Sequence, residues 1–195
     1  MTFRIIKYLN FLPRIEENVT GSKTSIVIGN TFIAKSAKLK ENVIVRGDGK
    51  EIYIGENSLL KNRVTIHVAA RLQGTSIGKN CIIDEYSIIH ACRLENDVLV
   101  GSNSVIMDGS ALGNNVVVAN NSLVPPGKKF PSFTLIAGSP AKVIKKINRK
   151  EFLSYKESII NNKKSSFFAN SFNYRDFLNK NSLKKNFTEI HSSSF

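Results

Sequence analysis

Aliphatic side chains recur at every sixth position through most of this 195-residue chain. They fall at Ile33, Leu39 and Val45, at Ile54, Leu60 and Ile66, and at Ile77, Ile83 and Ile89. A last run goes from Leu94 through Val100, Ile106, Leu112 and Val118 to Val124. Two residues before each of these fifteen anchors stands a small or β-branched residue, such as Thr31, Ala37, Ser58, Thr75, Ser87 or Ser104. An α-helix repeats at 3.6 residues, and a hairpin sheet alternates at two without a longer period. A period of six suits a parallel β-helix with three short flat sides and 18 residues per coil. The aliphatic residue points inward and fills a triangular core, and the smaller one takes the tight space near a corner. About five such coils fit between Val27 and Val124.

Corners need residues that tolerate unusual backbone. Gly55, Gly78, Gly101 and Gly113 each follow an anchor, and asparagine recurs at 42, 57, 80, 96, 103, 115 and 121. Both types accept the left-handed conformation of tight turns. Cys81 and Cys92, the only cysteines, occupy the small inward position and read as core fillers rather than ligands, nucleophiles or a disulfide framework. The spacing stretches to nine residues between Val45 and Ile54 and to eleven between Ile66 and Ile77. Excursions from a solenoid commonly gather on one face, often the functional one. The second excursion directly follows His67, one of three histidines in the chain.

The order and spacing of several motifs carry a family resemblance. They are Arg46-Gly47-Asp48, "TIHVA", "IIHAC", "MDG", "VPPGK" and "GSPAK". From about Val27 to Ile147 the chain resembles the gamma-class carbonic anhydrase family of hexapeptide-repeat proteins. The resemblance implies a left-handed coil, against the usual hand of parallel crossovers, and assembly into trimers. It also implies a zinc site between subunits, with two ligands from one chain and the middle one from its neighbour. His67 and His90 match the outer two positions, and Glu85 stands where the family has its middle histidine. Both histidines follow an inward anchor, which puts them at one corner of adjacent coils, about 4.8 Å apart along the axis.

Two histidines and a glutamate are a recognised zinc set. The pocket positions that orient substrate in the family are Leu59 and Lys61 here, one without a hydrogen bond and one with a charge that opposes a dication. Asn62 replaces the family aspartate that supports Arg46 across the interface. The expectation is therefore zinc absent, or completed by a partner subunit's ligands, with Lys61 of one subunit paired to Glu85 of the next. Arg46, Asp48 and Asn62 are expected at the trimer interface.

Three regions result: an N-terminal arm at 1–24, a β-helix at 25–141, and a C-terminal helix with a basic, Phe-rich tail at 142–195. In "MTFRIIKYLNFLP", Phe3, Ile6 and Phe11 or Leu12 could share a helical face. That reading fits a mitochondrial targeting segment, a helix lying on a membrane or partner, or a disordered arm. After Pro140, apolar residues at helical spacing predict a helix from about Arg149 to Lys164.

The chain has a formal net charge of +13, and from Lys142 onward twelve Lys/Arg face four Asp/Glu, a net of +8. Seven of the twelve phenylalanines lie from Phe152 on. That composition suits an extended arm docking apolar anchors into another protein, better than a disordered linker or a nucleic-acid contact. His191 reads as an uninvolved tail residue. No run of about 18 apolar residues appears, so no helix is expected to span a membrane.

Two functional classes remain. One is a gamma-carbonic-anhydrase-like subunit of mitochondrial respiratory complex I. Such a subunit sits in a heterotrimer on the matrix face of the inner membrane, against the membrane arm and in peripheral contact with the bilayer. The other is a soluble homotrimeric carbonic anhydrase or an acyltransferase relative.

Overall fold

A computed structural model describes residues 3–69 and 73–161. The chain winds into a parallel β-solenoid of about seven turns followed by one helix. All fifteen aliphatic anchors and all fifteen small or β-branched partners are at most 2% exposed, so the six-residue register is the register of the core. The serines among the partners do more than fit. Ser58 Oγ donates to the Gly78 carbonyl at 2.9 Å and accepts from the Cys81 amide at 3.1 Å. Ser87 does the same with Gly101 and Ser104. These hydroxyls close corner backbone groups that neither sheet ladder reaches. Among the described residues, no buried side-chain nitrogen or oxygen lacks a partner.

Three faces result. The first stacks Thr65–His67 on Ile88–His90, then Val105–Ile106 and Leu123–Val124. The second stacks Thr75–Ile77, Arg93–Leu94, Ala111–Leu112 and Lys129–Phe130. The third runs from Thr20–Gly21 through Leu59–Leu60 and Ile82–Ile83 to Thr134–Gly138. Two long strands, Ile26–Ile33 and Ile44–Ile54, turn a corner and serve both the first and second faces.

The corners refine the sequence reading. Six of the seven recurring asparagines are left-handed, with φ between 55° and 58°, and Asn96 instead accepts a hydrogen bond from the Lys79 amide. The four glycines are not left-handed. Their role is close approach: a Cβ on Gly55 would lie 2.4 Å from the Gly78 carbonyl carbon of the next coil. A third irregularity joins the two excursions, because Ile89 to Leu94 is five residues. Ala91, at φ 44°, absorbs the shortening.

The N-terminal residues form no helix. Arg4–Ile6 and Arg14–Ile15 pair with Ile26–Ile33, and Thr20–Gly21 pairs with Lys38–Leu39, so the solenoid begins at residue 4 rather than 25. The physical reason is the open end of the core. Ile5 pairs with the inward Val27, and Phe3, 6% exposed, closes against Gly21 and Leu39. The loop between them, at the corner of the first and second faces, leaves Leu9 and Leu12 exposed.

At the other end Ala141–Lys146 adds an antiparallel edge strand, so Val143 is in a strand and not in the helical pattern. The helix spans Arg149–Ile160, entered by a reciprocal cap between Asn148 and Glu151. It buries Phe152, Tyr155 and Ile159 over the third face, on Ile82, Leu99, Val117 and Leu135. The expected extension to Lys164 and the Phe-rich tail lie outside the described residues. No helix among the described residues is long and apolar enough to cross a membrane.

A candidate metal centre divided between two corners

His67 and His90 end adjacent strands of the first face and pair in register, with ring centroids 5.1 Å apart. Each ring is held by a carboxylate. His67 Nε2 is 2.8 Å from Asp48 Oδ1, and His90 Nδ1 is 2.5 Å from Asp108 Oδ1. Asp48 reaches His67 because the nine-residue excursion swings it out at the same corner. Its second oxygen takes Arg46 at 2.6 Å. Burial pushes the Asp48 carboxyl upward, but the hydrogen bond from His67 and the charges of His67 and Arg46 outweigh it and hold it below the ordinary value. A carboxylate on one imidazole nitrogen is the usual support for a histidine whose other nitrogen binds metal.

Glu85 is elsewhere. It lies at the corner that precedes the strand Ile88–His90, whereas the histidines end that strand. Asn62 Nδ2 donates to Glu85 Oε1 at 2.9 Å, and the Asn62 carbonyl oxygen accepts from the Glu41 amide at 3.2 Å. Asn62 thus supports Glu85 in its own chain. Lys61 also differs from expectation. Its Nζ lies 2.7 Å from Asp84 Oδ1, with both side chains about seven-eighths buried, and donates to the Ile159 carbonyl at 3.4 Å. The reason is nearness: Asp84 is one coil above Lys61 in the same chain. Leu59 lies on the third face, packed with the cluster under the helix.

Asp84 and Asp108 were not among the site residues read from the sequence. Coil arithmetic contains both, since Asp108 is one 18-residue coil beyond His90, and Asp84 is one coil plus the five-residue excursion beyond Lys61. The cysteines behave as core: burial pushes both thiols up to about 12.

A zinc centre with an open position takes three protein ligands. One chain brings two imidazoles together, and no group of three His, Cys, Asp or Glu among the described residues is placed to hold a metal ion. The residues of a single chain therefore do not fit zinc unaided. Between the histidine corner and the Glu85 corner, the first face turns an aliphatic stripe outward: Ile26, Ile44, Thr65, Ile88, Val105 and Leu123. Ile44 and Ile88 on it are 40% and 41% exposed. On the second face an open cleft of about 530 Å³ is lined by Lys50, Tyr53, Gln73, Ser76 and Arg93 among others, and neither histidine lines it.

Comparison with known proteins agrees with this architecture. Residues 91–126 match the model "Bacterial transferase hexapeptide (six repeats)", and residues 51–84 match "Hexapeptide repeat of succinyl-transferase". A hexapeptide transferase family protein from Anaplasma phagocytophilum superposes with a TM-score of 0.75 at 29% identity, covering 83% of this chain and 95% of that one. Gamma carbonic anhydrase 2, mitochondrial, of Arabidopsis thaliana is 26% identical over 154 residues. That alignment takes in 76% of this chain and only 55% of the plant protein. The "Probable carbonic anhydrase" of Methanocaldococcus jannaschii is 34% identical over 146 residues, 75% of this chain and 91% of that protein. On this evidence the chain belongs to the gamma carbonic anhydrase family of hexapeptide-repeat β-helices.

Proposed function

We propose that this protein is a structural and assembly subunit of mitochondrial NADH:ubiquinone oxidoreductase, respiratory complex I. In this reading it joins related gamma-carbonic-anhydrase-like chains in a heterotrimer on the matrix side of the membrane arm. The aliphatic stripe of the first face is the contact between subunits. The observation that carries the reading is what has become of the pocket. Leu59 belongs to the seat of the helix, Lys61 is held by Asp84, and Glu85 is held by Asn62. No neutral polar side chain remains at those positions to orient a small substrate or a hydroxide. What persists is a rigid prism with one apolar outward stripe, which suits a scaffold. The mitochondrial location rests on the plant relatives, whose names place them there.

The test is native fractionation of mitochondrial membranes carrying a tagged copy of the chain. Co-migration with NADH dehydrogenase activity, in company with related chains, is the expected result. Recovery as a soluble homotrimer that hydrates CO₂ would overturn it. That second outcome is the alternative reading, a zinc gamma carbonic anhydrase. It is favoured by the retained His67–Asp48 and His90–Asp108 pairs and by the likeness to the archaeal protein.

A further inference from the structure

The two corners that flank the first face are in different condition. The histidine corner is complete as far as one chain can make it. Two imidazoles stand in register 5.1 Å apart, each fixed by its own carboxylate, and one of those carboxylates is itself fixed by Arg46. The opposite corner has no imidazole. Its carboxylate, Glu85, is turned to the Asn62 amide, and its cation, Lys61, is turned to Asp84 and to the end of the helix. Every polar group there is committed within its own chain. The stripe between the corners is apolar, so a second solenoid laid on it brings one of its own corners to the first chain's histidines.

Building on assembly with related chains, we infer that this chain can receive a metal ligand from a neighbour but cannot give one. His67 and His90 are half of a site. An unlike chain of the same fold completes it with an imidazole, and a second copy of this chain, offering Glu85, does not. The zinc-type donor set of three protein ligands then closes only in mixed assemblies. Residues that hold the receiving half, Asp48 and Asp108, keep a purpose that Lys61 and Leu59 have lost.

Cobalt(II), whose visible spectrum reports tetrahedral coordination, tests this without any catalytic assay. Full-length wild-type chain alone is expected to show no such spectrum at stoichiometric metal. Glu85→His is expected to gain about one Co²⁺ per chain, at least about 100-fold tighter than wild type. A complementation arm removes dependence on that one variant. The triple variant Glu85→His, His67→Ala, His90→Ala binds no metal alone, but mixed with wild type it should restore the spectrum, because each chain then supplies what the other lacks. Stoichiometric Co²⁺ in wild type that is lost in Glu85→Gln would overturn the inference, since this chain would then be giving a ligand. Failure of both the single variant and the mixture to gain metal would overturn it as well. Neither outcome touches association with the respiratory complex, which is read by fractionation and does not depend on metal.

Discussion

Lys61→Met removes a cation that is only 12% exposed while keeping most of its stem. The ammonium lies 2.7 Å from Asp84 Oδ1 and 3.4 Å from the Ile159 carbonyl. Without it, Asp84 stays seven-eighths buried with its charge uncompensated, retaining the Ser102 hydroxyl at 2.7 Å and the Glu85 amide at 2.9 Å. Breaking one side of a buried pair costs about 3–5 kcal/mol, and the two surviving hydrogen bonds place this case near 3 kcal/mol. The helix has no basic residue in its last turn, so losing the only cation described near its end adds roughly 0.5 kcal/mol. At about 2–4 °C per kcal/mol for a chain of this size, the unfolding temperature should fall by about 7–14 °C. Asp84→Leu should cost a similar amount, and the double variant should recover much of the loss, because an apolar pair in place of a buried ion pair is often neutral. The assay is thermal unfolding by circular dichroism at one fixed protein concentration, since assembly makes the midpoint concentration-dependent. A Lys61→Met midpoint within about 2 °C of wild type refutes the reasoning. So does a Glu85→Gln loss as large as that of Asp84→Leu, which would put the lysine's partner on Glu85.

Three further outcomes follow from the same coordinates. Gly55→Ala places a Cβ 2.4 Å from backbone of the next coil, so the coils must part, and denaturant titration should show a loss of about 3 kcal/mol. Cys81 and Cys92, with thiols pushed up to about 12, should stay unmodified by iodoacetamide in native protein between pH 7 and about pH 9, where ordinary thiols ionise, and react only on unfolding. Ile88→Asp puts a charge on the outward stripe at a position 41% exposed; sedimentation should show loss of assembly while the far-ultraviolet spectrum of the solenoid is unchanged.

The core was legible because its rule is local and repeated. An anchor every sixth residue, with a small partner two before it, leaves one way to bury both, and the strands obey it down to the cysteines. The ends were less legible for the same reason. Residues 4–21 carry no run of anchors at six, so their apolar residues suggested a helical face. Their conformation is set instead by the unpaired edge and open core of the coil beside them, which Phe3 and Ile5 cover. The glycines show a similar limit: their place beside the corners was visible, but whether a corner needs a left-handed residue or room for the next coil depends on how coils stack.

The site shows where periodicity stops informing. Counting 18 residues, or 23 across the longer excursion, places Asp108 over His90, Asp84 over Lys61 and Glu85 over Asn62. That arithmetic brings the right residues together, yet each polar side chain then has more than one partner within reach. Lys61 had Glu85 of a neighbouring chain and Asp84 of its own. The nearby carboxylate wins because folding has already buried both groups, so pairing them adds no association cost, whereas a pair formed across subunits must also order and desolvate a second chain. The same preference ties Glu85 to Asn62. A ligand position whose carboxylate is satisfied before assembly has less to gain from a metal shared with a neighbour, and the histidines, supported but not saturated by Asp48 and Asp108, have more.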